Sequence, residues 1–307
     1  MGSRQIGSQA AARNCITVDA SENFRPDFAL QYGFRGFTSE PGHLKFGANP
    51  IRFDTMADNS DGLAAFSSRR PSPEGRVKPD IVVPGTGILS ARSSQVSNVG
   101  LFGVSVHPMY MYDAGMSMAT PLISGCAAVV RQALRQKPPQ GAAGGTQYSP
   151  SASLVKAALI NGAVELKGQY DLNEAGPSPN YNSGWGGVSL TESVYTAMTS
   201  GSAGCHEGAP LQDEDFFDLP IPAAQAVATL KVTLLWTDPP APMLQNHLEL
   251  IVEIGAQKRS DNTGINRRNN VKQVVWRNVP QGTAKTRIPA RSLTKSPQGY
   301  VVAWKLT

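Results

Sequence analysis

An α/β portion that passes into an all-β sandwich is the fold class this 307-residue sequence predicts, on three observations. The apolar run Ile81-Val82-Val83 lies between Pro79 and Pro84-Gly85. It is continuous rather than alternating, as in a strand covered on both faces. Segments of helical spacing follow it, beginning near Met118 and Ser151. From about residue 201 the texture changes to β-branched or alternating segments separated by turn residues, with no helical pattern between them. That is the pattern of an antiparallel sandwich of about 100 residues. The chain therefore divides into residues 1–200 and 201–307.

The first strand is the β-branched segment Cys15-Ile16-Thr17-Val18-Asp19-Ala20. Residues 21 to 75 are rich in Gly, Pro, Asn, Asp and Ser and read as ordered loops, and Asp80 to Val83 forms the second strand. From Met118 to about Leu134 the residues are small and apolar. Pro121 falls in the first turn of this helix, where a missing N–H costs nothing, and Arg131 and Arg135 complement the dipole at its end. Ala119, Leu122, Ile123, Ala128 and Val129 leave almost no polar face, so this helix is expected to be buried. A second helix spans Ser151 to Asn161, capped by Ser151 or Ser153 and stopped at Gly162. A third runs from Leu190 to about Met198. Sandwich strands are expected at 229–236, 247–254, 271–276, 284–288 and 299–306.

Composition narrows the function. The chain carries 28 Lys and Arg against 23 Asp and Glu, a net charge of +5 that is too dilute to mark a nucleic-acid or membrane surface. Cys15, Cys126 and Cys205 stand far apart with no C-x-x-C pair, which argues against a zinc site and a disulfide framework. No stretch has the length of a membrane span, and Met1 to Gln5 opens no signal-peptide run. Four histidines, His43, His107, His206 and His247, set a limit on acid–base chemistry.

The sharpest local signal is Gly115-Met116-Ser117-Met118-Ala119-Thr120-Pro121. A serine between glycine and small residues at a helix N-terminus suits a nucleophile, because free N–H groups and the positive dipole end face a developing oxyanion. From spacing alone a plain helix cap remains the competing reading. This segment resembles the Gly-Thr-Ser-Met-Ala-Thr-Pro signature of the subtilisin-like serine peptidases, with Met116 for the usual Thr. Gly75-Arg76-Val77-Lys78-Pro79-Asp80 through Gly85, Ile16 to Asn23, Leu154 to Ala163 and Gly184-Trp185-Gly186 are similar to further family motifs, with Asp19 where Gly is usual. Leu230 to Pro240, Val274-Val275-Trp276 and Tyr300 to Trp304 resemble the jelly-roll-like β-sandwich appended in one branch.

The resemblance implies the second half of a mostly parallel sheet with flanking helices, then that sandwich. It implies a serine endopeptidase acting on polypeptides, with Ser117 as nucleophile and its own backbone N–H in the oxyanion hole. The family's aspartate, His-Gly-Thr and oxyanion-asparagine motifs have no match: Asp54-Thr55-Met56 lacks the glycine, His43 and His107 sit in other contexts, and Asn14 follows Arg13. By resemblance the chain starts partway through a catalytic domain and is incomplete or inactive alone, aggregation-prone, with residues from about 215 able to fold independently. The alternative is a non-catalytic remnant that binds through the sandwich. An esterase of the α/β-hydrolase type is disfavoured by Ala119, where that fold wants glycine. No cofactor is required; Asp213, Asp215 and Asp218 are the calcium candidates, against a solvated acidic linker. The full-length family implies an extracellular location.

Overall fold

The computed structural model describes residues 6–33, 38–40, 43–95, 102–103, 105–142, 148–170, 174–223, 226–261 and 268–307. Strand β1 (Val18–Ser21) lies parallel to a later strand, Ile81–Pro84, with Val18 opposite Ile81 and Ser21 opposite Pro84. Between them come the short strands β2 (Thr38–Glu40) and β3 (His43–Leu44) and a 3-10 turn at Ile51–Phe53; Ile81–Pro84 is β4. The first strand starts later than Cys15 because Thr17 is drawn into a polar cluster. Its N–H donates to Asp80 Oδ2 at 2.8 Å and its hydroxyl to the Ala10 carbonyl at 2.6 Å. The continuous apolar run of β4 is covered on both faces: Ile81 and Val83 join the helices' core, while Val82 packs with Leu63, Leu166 and Ala175.

A hairpin, β5 (Ile88–Ala91) and β6 (Tyr110–Asp113), leads into helix α1 (Met116–Gln136). The helix begins two residues before the sequence suggests, so Pro121 lies inside it rather than in its first turn. The missing N–H leaves the Ser117 carbonyl without its helical partner. The expectation of a buried α1 is overturned. Ala119, Ile123, Val130, Ala133 and Leu134 are buried, but Pro121, Leu122, Gly125, Ala128 and Val129 on the opposite side are exposed. One apolar stripe meets β1, β4 and the other helices; the other meets nothing among the described residues.

Helix α2 (Ala152–Gly162) is capped by Ser151, whose hydroxyl accepts from the Leu154 N–H, and α3 (Leu190–Ala197) by Ser189 in the same way through Glu192. Strands β7 (Ala203–Glu207), β8 (Phe216–Ala223), β9 (Val227–Leu235), β10 (Asn246–Leu248), β11 (Ile251–Ile254), β12 (Gln257–Ser260), β13 (Val271–Val279), β14 (Gly282–Leu293) and β15 (Val301–Leu306) complete the chain. They form two antiparallel sheets. One has the order β13-β9-β15-β7; the other runs β10-β14-β11-β12, with β8 added to β14. Parallel pairing among the described residues is confined to β1 with β4 and two single bridges, so the parallel sheet is smaller than the expected one.

Alternation places the residues of β9 on two sides. Leu230, Val232 and Leu234, with Trp276 of β13, face the five-stranded sheet, where Ile221, Val252 and Ile288 close a common core. Leu235, with Val271, Val301, Ala303 and Cys205, faces α2 and α3 instead. Asn161 of α2 fixes that contact, its amide donating to the Lys231 and Ala303 carbonyls and to Thr233 Oγ1 at 3.1–3.2 Å. The result is three layers: helices, a four-stranded sheet and a five-stranded sheet. The predicted strand at 247–254 is broken into β10 and β11, with a register shift between His247 and Leu248.

Candidate active site

Two glycines bring the start of α1 against the ends of the parallel strands. Gly115 N–H donates to the Gly85 carbonyl at 2.7 Å, just after β4. A side chain at Gly85 would meet Ala20 Cβ at 2.7 Å and the Gly115 carbonyl at 2.9 Å, so only glycine allows this approach. Gly115 itself has φ +157°, a conformation that residues with a side chain rarely adopt. The helix N-terminus therefore sits at the carboxyl ends of β1 and β4, where open α/β sheets commonly bind ligands.

Ser117 is the second helical residue and is exposed. The Met118 and Ala119 N–H groups are satisfied by the Gly115 carbonyl at 3.0 and 3.2 Å. Neither the N–H nor the hydroxyl of Ser117 has a partner among the described residues. A donor at the positive end of a helix dipole is thus left facing outward beside a free hydroxyl. Met116 turns the other way, its sulfur accepting from Ser68 Oγ at 3.3 Å.

The remaining candidates are spread over the molecule. His107 Nδ1 accepts from the Met109 N–H at 3.2 Å, and its ring packs on Tyr110. His206 is buried in β7, stacked on Phe217 at 4.6 Å, and burial lowers its pKa. His247 lies in β10 beside Glu249. The His43 side chain lies outside the described residues. Asp54 accepts from Tyr170 and Gln169. Asn14 is committed to Asp238 and Asn270. None of the described groups makes a contact with Ser117.

The calcium candidates are engaged by groups of the protein itself. Asp213 accepts from the Leu293 N–H at 2.7 Å and Asp215 from the Gln212 N–H at 3.0 Å. Asp218 is held by Arg287 at 2.7 and 2.8 Å and by Lys285 at 3.1 Å. Among the described residues no group of three His, Cys, Asp or Glu is placed to hold a metal.

Two buried carboxyls near β1 emerge only in three dimensions. Burial raises Asp19 to about 7, against hydrogen bonds from Ser68 and Ser67. Burial likewise raises Glu22 to about 8, against the Tyr32 hydroxyl that donates to it at 2.7 Å, while Asp54 and Asp58 add to the rise. The sequence signalled Asp19 only as an acid where the motif has glycine.

Comparison with known proteins places the chain. The subtilase family model matches residues 1–186. A serine protease/ABC transporter B family protein, tagD of Dictyostelium discoideum, is 33% identical over 153 residues, 45% of this chain and 8% of its own length. Serine protease AprX of Bacillus subtilis is 41% identical over 80 residues, 26% of this chain and 18% of its own. The chain thus spans less than a fifth of either relative. A serine protease structure from Aeromonas sobria overlaps 81% of this chain and 56% of its own at 12% identity and a TM-score of 0.29, too low to bear on the fold. The match over most of the chain, with the motif at Ser117 inside it, shows that this protein belongs to the subtilase family.

Proposed function

We propose that residues 1–200 carry the nucleophile of a subtilisin-type endopeptidase, that this nucleophile is Ser117, and that residues 201–307 are an appended β-sandwich. The observation that carries the reading is the paired Ser117 hydroxyl and N–H, both unpartnered, at the start of α1. In acyl transfer the hydroxyl would attack a peptide carbonyl and the N–H would take up part of the resulting oxyanion. The attacking oxygen must lose its proton to a base, and none of the three described imidazoles reaches it. Removing the base from subtilisin itself lowers turnover by about 10⁶, a value that belongs to that enzyme. By the same chemistry Ser117 would not turn over peptides at a useful rate with the described imidazoles alone. Polypeptides are the substrate class the family supports, and an extracellular setting is supported by a relative named as a secreted protease. No helix among the described residues is long and apolar enough to cross a membrane.

The test is treatment with a serine-directed phosphonate, with and without added imidazole, and mapping of the adduct by mass spectrometry. Imidazole-dependent labelling of Ser117 in preference to the exposed Ser124 supports the proposal. Equal labelling of the two would remove it and leave a non-catalytic sandwich protein as the better account.

A further inference from the structure

A cavity of about 240 Å³ opens where the loop containing Arg13, the turn at Glu74–Arg76 and the segment before β10 converge; α1 supplies none of its lining. Three guanidinium groups, those of Arg13, Arg76 and Arg268, face it together with one carboxylate, Glu74. Arg13 and Arg76 are more than nine-tenths buried. Arg13 gives Nη1 to Asp238 at 2.6 Å and Nη2 to the Pro242 carbonyl at 3.2 Å. Arg76 gives Nη2 to the Ala11 carbonyl at 2.5 Å and to Glu74 at 2.9 Å, and Nη1 to the Pro242 carbonyl at 3.4 Å. The Nε of each is buried and has no acceptor. Both guanidiniums are ion-paired through their Nη atoms, but a buried N–H donor left without an acceptor is costly, and each Nε would be stabilised by an acceptor placed beside it.

The third cation is held from outside. Arg268 is exposed, its Nη1 donates to the Glu74 carbonyl at 3.2 Å, and its guanidinium packs over Gly75. Gly75 has φ +78° and no side chain, and any Cβ there would collide with that guanidinium. Pro242, Met243 and Leu244 add apolar lining and His247 an imidazole, with Met243 62% exposed. Burial lowers the pKa of Arg13, which Asp238 opposes and Arg76 reinforces, as for a cation crowded by another. At about 30 Å³ per water, the cavity holds the volume of roughly eight waters, enough for one amino-acid residue.

We infer that this cavity binds a carboxylate attached to an aliphatic group, the arrangement found at the C-terminus of a peptide ending in a hydrophobic residue. The carboxylate answers the excess positive charge, and the aliphatic part covers Pro242, Met243 and Leu244. The site is independent of the Ser117 reading and shares no residue with it.

Isothermal titration of the full chain with N-acetyl-L-leucine tests it, with N-acetyl-L-leucinamide, acetate and inorganic phosphate as comparisons. The acid is expected to bind one-to-one and at least about tenfold more tightly than the amide and the two small anions. Arg268→Ala, an exposed change whose folding is checked by its melting temperature, should weaken the acid by about tenfold. Gly75→Ala, which displaces Arg268, should do the same. Equal binding of acid and amide, phosphate binding as tightly as N-acetyl-leucine, no saturable binding, or a well-folded Arg268→Ala that binds unchanged would each overturn the inference.

Discussion

Asp19 and Glu22 make the clearest statement at the scale of single residues. Both have folded-state pKa values above those of an unfolded chain, about 7 and about 8 against ordinary values of about 3.9 and 4.3. Between those limits the folded protein keeps protons that the unfolded chain has released, so stability falls as pH rises from about 4 to about 8. Asp19→Asn with Glu22→Gln should flatten that decline, as read by melting temperature against pH. A wild-type melting temperature that climbs steadily over this range would contradict the assignment. Ser117 was legible in the sequence because its motif is local. The roles of Asp19 and Glu22 were not, since their protonation follows from packing among residues far along the chain. Gly85 is a similar case. Gly85→Ala should cost about 1–3 kcal/mol and lower phosphonate labelling of Ser117, because the added methyl presses on Ala20 and on the Gly115 carbonyl. Unchanged labelling would show that the helix start does not depend on this contact.

Among elements, the two helices with serine caps lie where their local signals place them. Ser151 and Ser189 begin α2 and α3 as caps should. Strand β8 is not legible in the sequence, since Pro220 and Pro222 disfavour a strand. Both are exposed, on a strand paired only with β14, so their lack of an N–H disrupts no ladder. Strands β7 and β12 lack a β-branched run and are specified by their neighbours. For α1 the sequence could not separate a fully buried helix from one with an uncovered apolar side, since both are written in the same residues. Leu122→Gln with Val129→Gln on that open side should change stability by no more than about 0.5 kcal/mol per site. It should also reduce binding of a hydrophobic dye. A large fall in melting temperature would mean that this side is packed in solution.

For the molecule as a whole, the four-stranded sheet is the middle layer, and this bears on how the parts depend on one another. A fragment of residues 215–307 would lose β7 and the helices that cover Leu235, Val271, Val301 and Ala303. It is expected to show a broad, weakly cooperative melt, unlike the independent folding its strand pattern suggests; a sharp melt matching the full chain would oppose this. The central claim is the proposal that Ser117, at the start of α1, is a nucleophile and that no imidazole among the described residues reaches it. Peptide hydrolysis by the purified chain and by Ser117→Ala, each with and without imidazole, addresses it most directly. The prediction is turnover at the level of the blank for both proteins in buffer, and slow turnover on adding imidazole only where Ser117 is present. Turnover without imidazole that Ser117→Ala abolishes would place a working base within the chain and contradict the account.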